Sequence, residues 1–490
     1  SYCTTYRYKF GYKVPKDYKE ALAFNDDNEN KFWQTAIALE MLQMKEYEVF
    51  IDKGKYSPSK LPPGYKIIRV HFVFDVKHDG RHKARLVADG HLTDTPLESV
   101  YAGVVSLRGL RTVLFLAELN GMEAYCTDIG NAFLNSTTNE KVAIIAGPEF
   151  GDQAGRLLLF YKACYGLKTS GARFVQLLEQ FLTSDEIGFK KAKVEDEIYY
   201  RKSKDGTHYE YICTYIDGLL IVVDNPTEFL KLVEKRFTLK GSEPIKHHLG
   251  CDFGRDQDGT LFMDASGYVK RMEDMYFSNF GIKPRKNFYS PLERGDHPEL
   301  DTSEFLDEEG TLLYQSLIGA IQWSVSLGRF DVNTAVMSMS SFRAQPRKGH
   351  LERVKRMICY LSRFKDFKIR FRTEEPDFCD VEPPKYDWST TVYDNPIEEI
   401  PEDAPEPLGK RVTITSYFDA NLMHDVLSGK ACTGILHFLN KTPIGWYAKK
   451  QATAETATYS AEIVSGRTCI EQVVDPVSYT HLRAHETLQH

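Results

Sequence analysis

No stretch of this chain approaches the roughly 18 consecutive apolar residues that a membrane-spanning helix requires. Nor does a positively charged stretch followed by an apolar region open it. A membrane partner and a secretory leader are therefore not expected. The initiator methionine is missing too: the chain begins Ser1-Tyr2-Cys3-Thr4-Thr5, which reads as a fragment or a processed piece. Cysteines are few and scattered, the nine (Cys3, Cys126, Cys164, Cys213, Cys251, Cys359, Cys379, Cys432, Cys469) lying at least twenty residues apart. That spacing offers neither a zinc motif nor a compact disulfide framework, and an intracellular, reducing home is the expectation.

What the chain does have is length and apolar content: 490 residues, 42% hydrophobic, 12% aromatic and 27% charged. Those values exclude disorder and collagen and suggest about three domains. Charge is unevenly spread. Between Glu374 and Glu406 stand twelve acids and one base, Lys385, a net −11 against −7 for the whole chain, so the remainder carries +4. A mildly basic body suits a polyanionic partner. The acidic stretch also holds Pro376, Pro383, Pro384, Pro396, Pro401, Pro405 and Pro407, and residues 374–410 read as an acidic, proline-rich linker.

Upstream of the linker, Leu317, Ile321 and Val325, then Leu351, Val354, Ile358 and Leu361, recur at helical spacing, broken at Arg343-Ala344-Gln345-Pro346. Between 65 and 255, β-type runs such as Ile67 to Val76 and Tyr209 to Val223 interleave with helical patterns at Leu107 to Leu119 and Ala172 to Leu182. The class is α+β. Beyond the linker, Val412 to Phe418 and Gly434 to Leu439 read as strands and Thr456 to Val474 as a helix. Residues 475–490 follow neither period and resemble a translated vector sequence, a non-native tail.

Several acids and bases invite chemistry, each with a plainer reading beside it. Asp217-Gly218 joins two apolar runs as a hairpin turn would, with glycine supplying positive φ; alternatively Asp217 is a metal-binding carboxylate at the tip. Asp128, followed by Ile-Gly-Asn, is a loop or capping acid unless a second carboxylate stands beside it, in which case the pair forms a hard-oxygen site for Mg²⁺. Phe72 to Val87 reads as a hairpin turned at Asp79-Gly80, with Lys83 and Arg85 on one face and Ala84 and Leu86 on the other. Tyr165-Gly-Leu-Lys-Thr-Ser-Gly-Ala-Arg173 is a strand-to-helix loop.

Four of these motifs, Lys83-Ala-Arg-Leu-Val-Ala88, Asp128-Ile-Gly-Asn-Ala-Phe-Leu134, Tyr165-Gly-Leu-Lys168 and Tyr215-Ile-Asp-Gly-Leu219, stand in a telling order. With Ser316-Leu-Ile-Gly-Ala-Ile-Gln-Trp323 after them, the chain from about Pro15 to Val474 resembles the reverse transcriptases of copia-type retrotransposons, a Pol polyprotein fragment. The resemblance implies a polymerase right hand: fingers and palm over 15–255, a thumb- or connection-like helical part over 256–373, the linker, and a truncated ribonuclease H-like α/β domain over 411–474. It implies RNA-directed DNA synthesis, with Asp128 and Asp217 holding two Mg²⁺ (or Mn²⁺) ions.

The same resemblance assigns Lys77, Lys83 and Arg85 to nucleotide phosphates, along with the amides of Asn131 and Ala132, and makes Phe133 the aromatic that rejects a ribose 2′-hydroxyl. A core aromatic is the other use for Phe133. Gly166, Lys168 and Arg173 would hold template and primer, and Asp419 and Glu462 would be the first two carboxylates of ribonuclease H, the later ones being absent. Expected partners are an RNA template, a DNA primer, deoxynucleoside triphosphates and other Pol/Gag parts, in a cytoplasmic or particle-associated setting. One departure matters: the family pattern is Tyr-x-Asp-Asp, and Gly218 occupies the position of the second Asp. Impaired polymerase and inactive nucleic-acid-binding remnant are thus rival readings. A two-carboxylate glycosidase is a third, disfavoured by the basic hairpin and the lack of paired Trp residues.

Overall fold

Apolar residues at nearly every turn of 107–120, a Ser106 hydroxyl accepting the Gly109 N–H at 2.9 Å, and Gly121 at φ +72° define one well-capped helix, Leu107–Asn120. In the computed structural model, which describes residues 7–9, 11–27, 30–77, 80–377, 387–390, 392 and 405–480, this helix lies against the central sheet. That sheet is antiparallel, with strand order Lys190–Lys191, Ile198–Lys202, Tyr209–Tyr215, Gly218–Val222, Ala124–Ile129, Leu239–Pro244. Period two sorts its side chains. Tyr211, Cys213, Leu220 and Val222 pack with helix Leu107–Asn120, while Ile212, Leu219 and Ile221 pack with helices Ser170–Leu182 and Pro226–Glu234.

An N-terminal body has an apolar core of its own. Helix Phe32–Glu46 covers the hairpin Val70–Val76/His82–Ala88, whose Phe72, Phe74, Ala84 and Leu86 are buried, as alternation requires. Of the expected turn at Asp79-Gly80, Gly80 has φ +81° and Asp79 lies outside the described residues. The same core continues into a four-stranded sheet in the order Phe50–Lys55, Arg156–Phe160, Val142–Ile145, Lys66–Ile67.

A division at 255/256 runs through a hairpin, because Cys251–Arg255 pairs with Leu261–Asp264 in a four-stranded sheet completed by Lys368–Arg370. The 256–373 part is therefore a β-sheet carrying helices Ser266–Phe280, Glu308–Ser326, Asn333–Ser340 and Lys348–Arg363, and Leu317, Ile321, Val354, Ile358 and Leu361 are buried among them. Most of the linker lies outside the described residues; at its end Glu406 pairs with Lys202 at 2.6 Å.

The last unit is a meander, Ile414–Asp425, Lys430–Leu439 and Thr442–Lys450, followed by helix Thr458–Thr480. One expectation changes here. The helix runs past Asp475 to Thr480, so the boundary at 475 is not a structural one; residues 481–490 are outside the described set. Ile414 and Ile435 are buried, Ile414 together with Leu439 and Ile444 joining the core of helix Leu107–Asn120, while Ile463 is exposed. Among the described residues the seven cysteines are free thiols, and no helix is long and apolar enough to cross a membrane.

Candidate active site

Asp128 and Asp217 meet through backbone pairing. Strand Gly218–Val222 runs antiparallel to Ala124–Ile129 with Gly218 opposite Asp128, and the Ile129 N–H donates to the Asp217 carbonyl at 2.7 Å. Both side chains are exposed at the same end of the sheet. Partial loss of hydration, then the charge of Asp217, raises the Asp128 carboxyl above the usual carboxylate range, with Lys77 and Lys240 opposing the shift.

The hairpin turn is shifted by one residue from the sequence expectation. Tyr215 pairs with Gly218, so the two turn residues are Ile216 and Asp217, and the positive φ falls on Ile216 at +56°. Gly218 is an extended strand residue because it must pair with Asp128 on its other side. A β-branched residue in the left-handed region is strained. A Cβ at 218 would lie 3.4 Å from Asp128 Oδ1, 3.5 Å from the Tyr215 carbonyl and 3.7 Å from His248 Cε1, so a side chain can begin there without moving backbone. The His248 ring is pushed down to about 4 by burial, and its Nε2 is buried with no hydrogen-bond partner.

The two aspartates open into a cleft of about 560 Å³ that is also lined by Lys77, Lys83, Arg85 and Asn131. Four separate chain segments contribute these six residues. Burial, then Arg85, Lys77 and Lys240, pushes the Lys83 ammonium down to about 8. Arg85 stacks over Tyr165 at 5.1 Å, and its Nε is buried without an acceptor. Two contributors had no sequence signal as site residues: Lys240, cross-strand partner of Asp128, and Glu40, whose carboxylate accepts the Leu86 N–H at 3.0 Å and is raised by burial.

Asn131 takes a left-handed conformation (φ +50°) and starts the short 3₁₀ turn Ala132–Asn135, stitched by the Asn135 amide donating to the Asn131 carbonyl at 3.1 Å. Ala132 is buried. Phe133 packs edge-on against Tyr165 at 5.3 Å and Phe174 at 6.4 Å, behind the cleft rather than in its lining. Gly166 has φ +89°, and any Cβ there would meet the Ala88 carbonyl at 2.1 Å, so glycine lets this loop close on the hairpin. Lys168 and Arg173 are elsewhere engaged: Lys168 Nζ donates to the Thr93 carbonyl at 2.6 Å, and Arg173 Nε to the Thr137 carbonyl at 3.1 Å. Neither lines the aspartate cleft.

In the last unit, the Glu462 carboxylate accepts the Ala420 N–H at 3.2 Å, next to the exposed Asp419. Among the described residues no three His, Cys, Asp or Glu side chains are arranged to hold a metal ion. The carboxylates of Asp128 and Asp217 are of the hard oxygen type that Mg²⁺ takes, and Gly218 beside them carries no side chain.

Residues 54–283 match the reverse transcriptase (RNA-dependent DNA polymerase) family. The retrovirus-related Pol polyprotein from transposon TNT 1-94 of Nicotiana tabacum is 24% identical over 92% of this chain and 32% of its own length. That from transposon RE1 of Arabidopsis thaliana is 24% identical over 82% of this chain and 25% of its own. The putative transposon Ty5-1 protein of Saccharomyces cerevisiae is 25% identical over 59% and 88%. The chain thus spans about a third or a quarter of the two plant polyproteins. A foamy viral protease-reverse transcriptase in complex with double-stranded DNA aligns over 95% of this chain and 61% of that one, 11% identical, with a TM-score of 0.25.

Proposed function

We propose that this chain, whose residues 54–283 match the reverse transcriptase family and which is similar to retrotransposon Pol polyproteins, is the RNA-directed DNA polymerase segment of a copia-type element, with an impaired metal site. The observation that carries this reading is the common cleft of Asp128, Asp217, Asn131, Lys77, Lys83 and Arg85. Asp128 and Asp217 would hold two Mg²⁺ or Mn²⁺ ions. When bound, the ions supply charge neutralisation at the primer hydroxyl and the triphosphate. Lys77, Lys83 and Arg85 would bind the triphosphate oxygens by charge-assisted hydrogen bonds. The Asn131 and Ala132 amides, at the start of a 3₁₀ turn, would add donors for the same anion.

In this reading the N-terminal body is the fingers, the central sheet the palm and the helical body the thumb, with the palm ending before the His247 to Asp264 hairpins rather than at 255. The primed RNA template would lie across the palm, with Gly166 holding the template loop to the fingers; Lys168 and Arg173 would serve it by fixing that loop's shape. Phe133 would act on the ribose only through the ring of Tyr165. The last unit would be ribonuclease H-like, with Asp419 and Glu462 at its first two carboxylate positions.

Gly218 opposite Asp128 favours a second reading, a polymerase fold that binds nucleic acid without extending it. Primer extension on an RNA template with Mg²⁺ and with Mn²⁺ separates the two. Incorporation that is abolished by Asp128→Asn supports the polymerase; salt-sensitive binding with no incorporation by the chain or by Gly218→Asp supports the remnant.

A further inference from the structure

Helix Phe32–Glu46 buries a stripe of Trp33, Ala36, Ile37, Glu40 and Met44, and one member of that stripe is an acid. Glu40 is 6% exposed. A buried carboxylate is costly unless it is hydrogen-bonded, and an aliphatic residue at 40 would fill the stripe without that cost. Packing alone therefore does not explain the acid.

What Glu40 holds is specific. Hairpin Val70–Val76/His82–Ala88 is two-stranded, so the outer edge of His82–Ala88 has no strand beside it. Three groups satisfy that edge instead: Glu40 Oε1 accepts the Leu86 N–H at 3.0 Å, the Tyr165 carbonyl accepts the Ala88 N–H at 2.7 Å, and the Leu86 carbonyl accepts the Cys164 thiol at 3.6 Å. The amide that Glu40 takes belongs to the peptide between Arg85 and Leu86. Its bond fixes the main chain from which the Arg85 side chain leaves.

Glu40 also stands among cations without being spent on one. It lines the aspartate cleft together with Lys83 and Arg85. Burial raises its carboxyl above the usual carboxylate range, and the Leu86 N–H, Lys83, Arg85 and Lys240 oppose the shift. Among the described residues none of those three cations forms an ion pair with it. An ion pair would occupy their donors, whereas a bond to the neighbouring amide leaves the donors to the cleft. Arg85 fits that arrangement, with its guanidinium over the Tyr165 ring at 5.1 Å and its Nε without an acceptor.

We propose that Glu40 is a positioning residue for nucleotide binding, holding the Arg85–Leu86 peptide so that Arg85 meets the triphosphate oxygens. The inference rests on the reading of the cleft as a nucleotide site. It assigns to helix Phe32–Glu46 a part in that site exerted through the backbone of the hairpin.

The test uses the full chain on an RNA template annealed to a dideoxy-terminated DNA primer, with Mg²⁺, titrated with dATP opposite a template uridine and followed by calorimetry. Glu40→Asp keeps the charge but is too short to reach the Leu86 N–H, and dATP affinity should fall about tenfold, as loss of a charge-assisted contact predicts. Glu40→Gln keeps an acceptor oxygen at the same reach and should stay within about threefold of the parent. In an Arg85→Met background the loss caused by Glu40→Asp should vanish, which a general loosening of the fold would not reproduce. Hydrogen exchange over residues 82–88 should quicken in Glu40→Asp and not in Glu40→Gln. An affinity unmoved by Glu40→Asp, a loss in Glu40→Gln as large as in Glu40→Asp, or a Glu40→Asp loss that persists beside Arg85→Met overturns the proposal and leaves the cleft reading intact. Absence of dATP binding by the parent, or binding indifferent to Arg85→Met, overturns the reading of the cleft and this inference with it.

Discussion

Gly218 stands opposite Asp128 across the strand pair, and a Cβ built on it would sit 3.4 Å from Asp128 Oδ1. A carboxylate introduced at 218 would therefore start beside that of Asp128. Gly218→Asp should raise primer extension by about 10²-fold or more, since losses at metal sites amount to several kcal/mol. Asp217→Asn in that background should remove the gain. The same variant, without metal, should lose on the order of 0.2–1 kcal/mol from like charges placed opposite each other. Denaturant melts with and without Mn²⁺ would show metal restoring the loss. Equal extension by the unmodified chain would make the second acid dispensable.

Lys83 supplies a pH-dependent test. Burial first, and then the charge of Arg85, pushes its ammonium down to about 8 from the ordinary lysine value of 10.5. A base so depressed is held charged at a cost below pH 8, and the cost disappears as pH rises towards the unfolded value. Lys83→Met should therefore be more stable than the parent at pH 7, with the difference shrinking between about pH 8 and 10.5. Parallel stability curves across that window would show that the ammonium is not strained.

The basic cleft should bind a primed template or an RNA–DNA hybrid with steep salt dependence, each phosphate contact contributing a log-log slope near −0.9 on B-form duplex. Removing Arg85 or Lys77 should lower the slope by about one each, across sequences. An affinity indifferent to ionic strength would contradict a phosphate-binding role.

Local pattern carried some of this structure and long-range pairing the rest. The alternation of Lys83 and Arg85 with Ala84 and Leu86 and the helical period of Leu107 to Leu119 are visible within a few residues, and both elements stand where the pattern puts them. Lys240 is more than a hundred residues from Asp128, and only the strand order brings them together. The Asp-Gly pair marked a hairpin correctly but not its register, because the neighbouring strand, not glycine's freedom, decides that Gly218 is extended. Lys168 shows a further limit: its charge suggests phosphate, while its ammonium is spent on the Thr93 carbonyl.

The Asp419–Glu462 pair should not cleave RNA in a hybrid. Glu462 is tied to the Ala420 N–H, and two carboxylates offer too few oxygen ligands for a two-metal mechanism. Incubation of a labelled hybrid with Mn²⁺ should leave the RNA strand intact. Endonucleolytic products that vanish in Asp419→Asn would mean that other ligands complete the site.

The core shared by the last unit and the central body leads to a different stability pattern from that of a loose appendage. Ile444 is fully buried, belongs to the same apolar cluster as Leu110, Val113 and Leu114, and lends its carbonyl to Arg111. Removing most of its side chain leaves a cavity among residues of both bodies, so Ile444→Ala should cost about 2–5 kcal/mol. The loss should be felt on both sides: hydrogen-exchange protection should fall in helix Leu107–Asn120 as well as in strand Thr442–Lys450. Helix Thr458–Thr480, whose Ile463 and Ile470 are exposed, should open before either. Protection that drops only beyond residue 411, with helix Leu107–Asn120 unchanged, would show that the last unit folds as a separate body and that the common core contributes little.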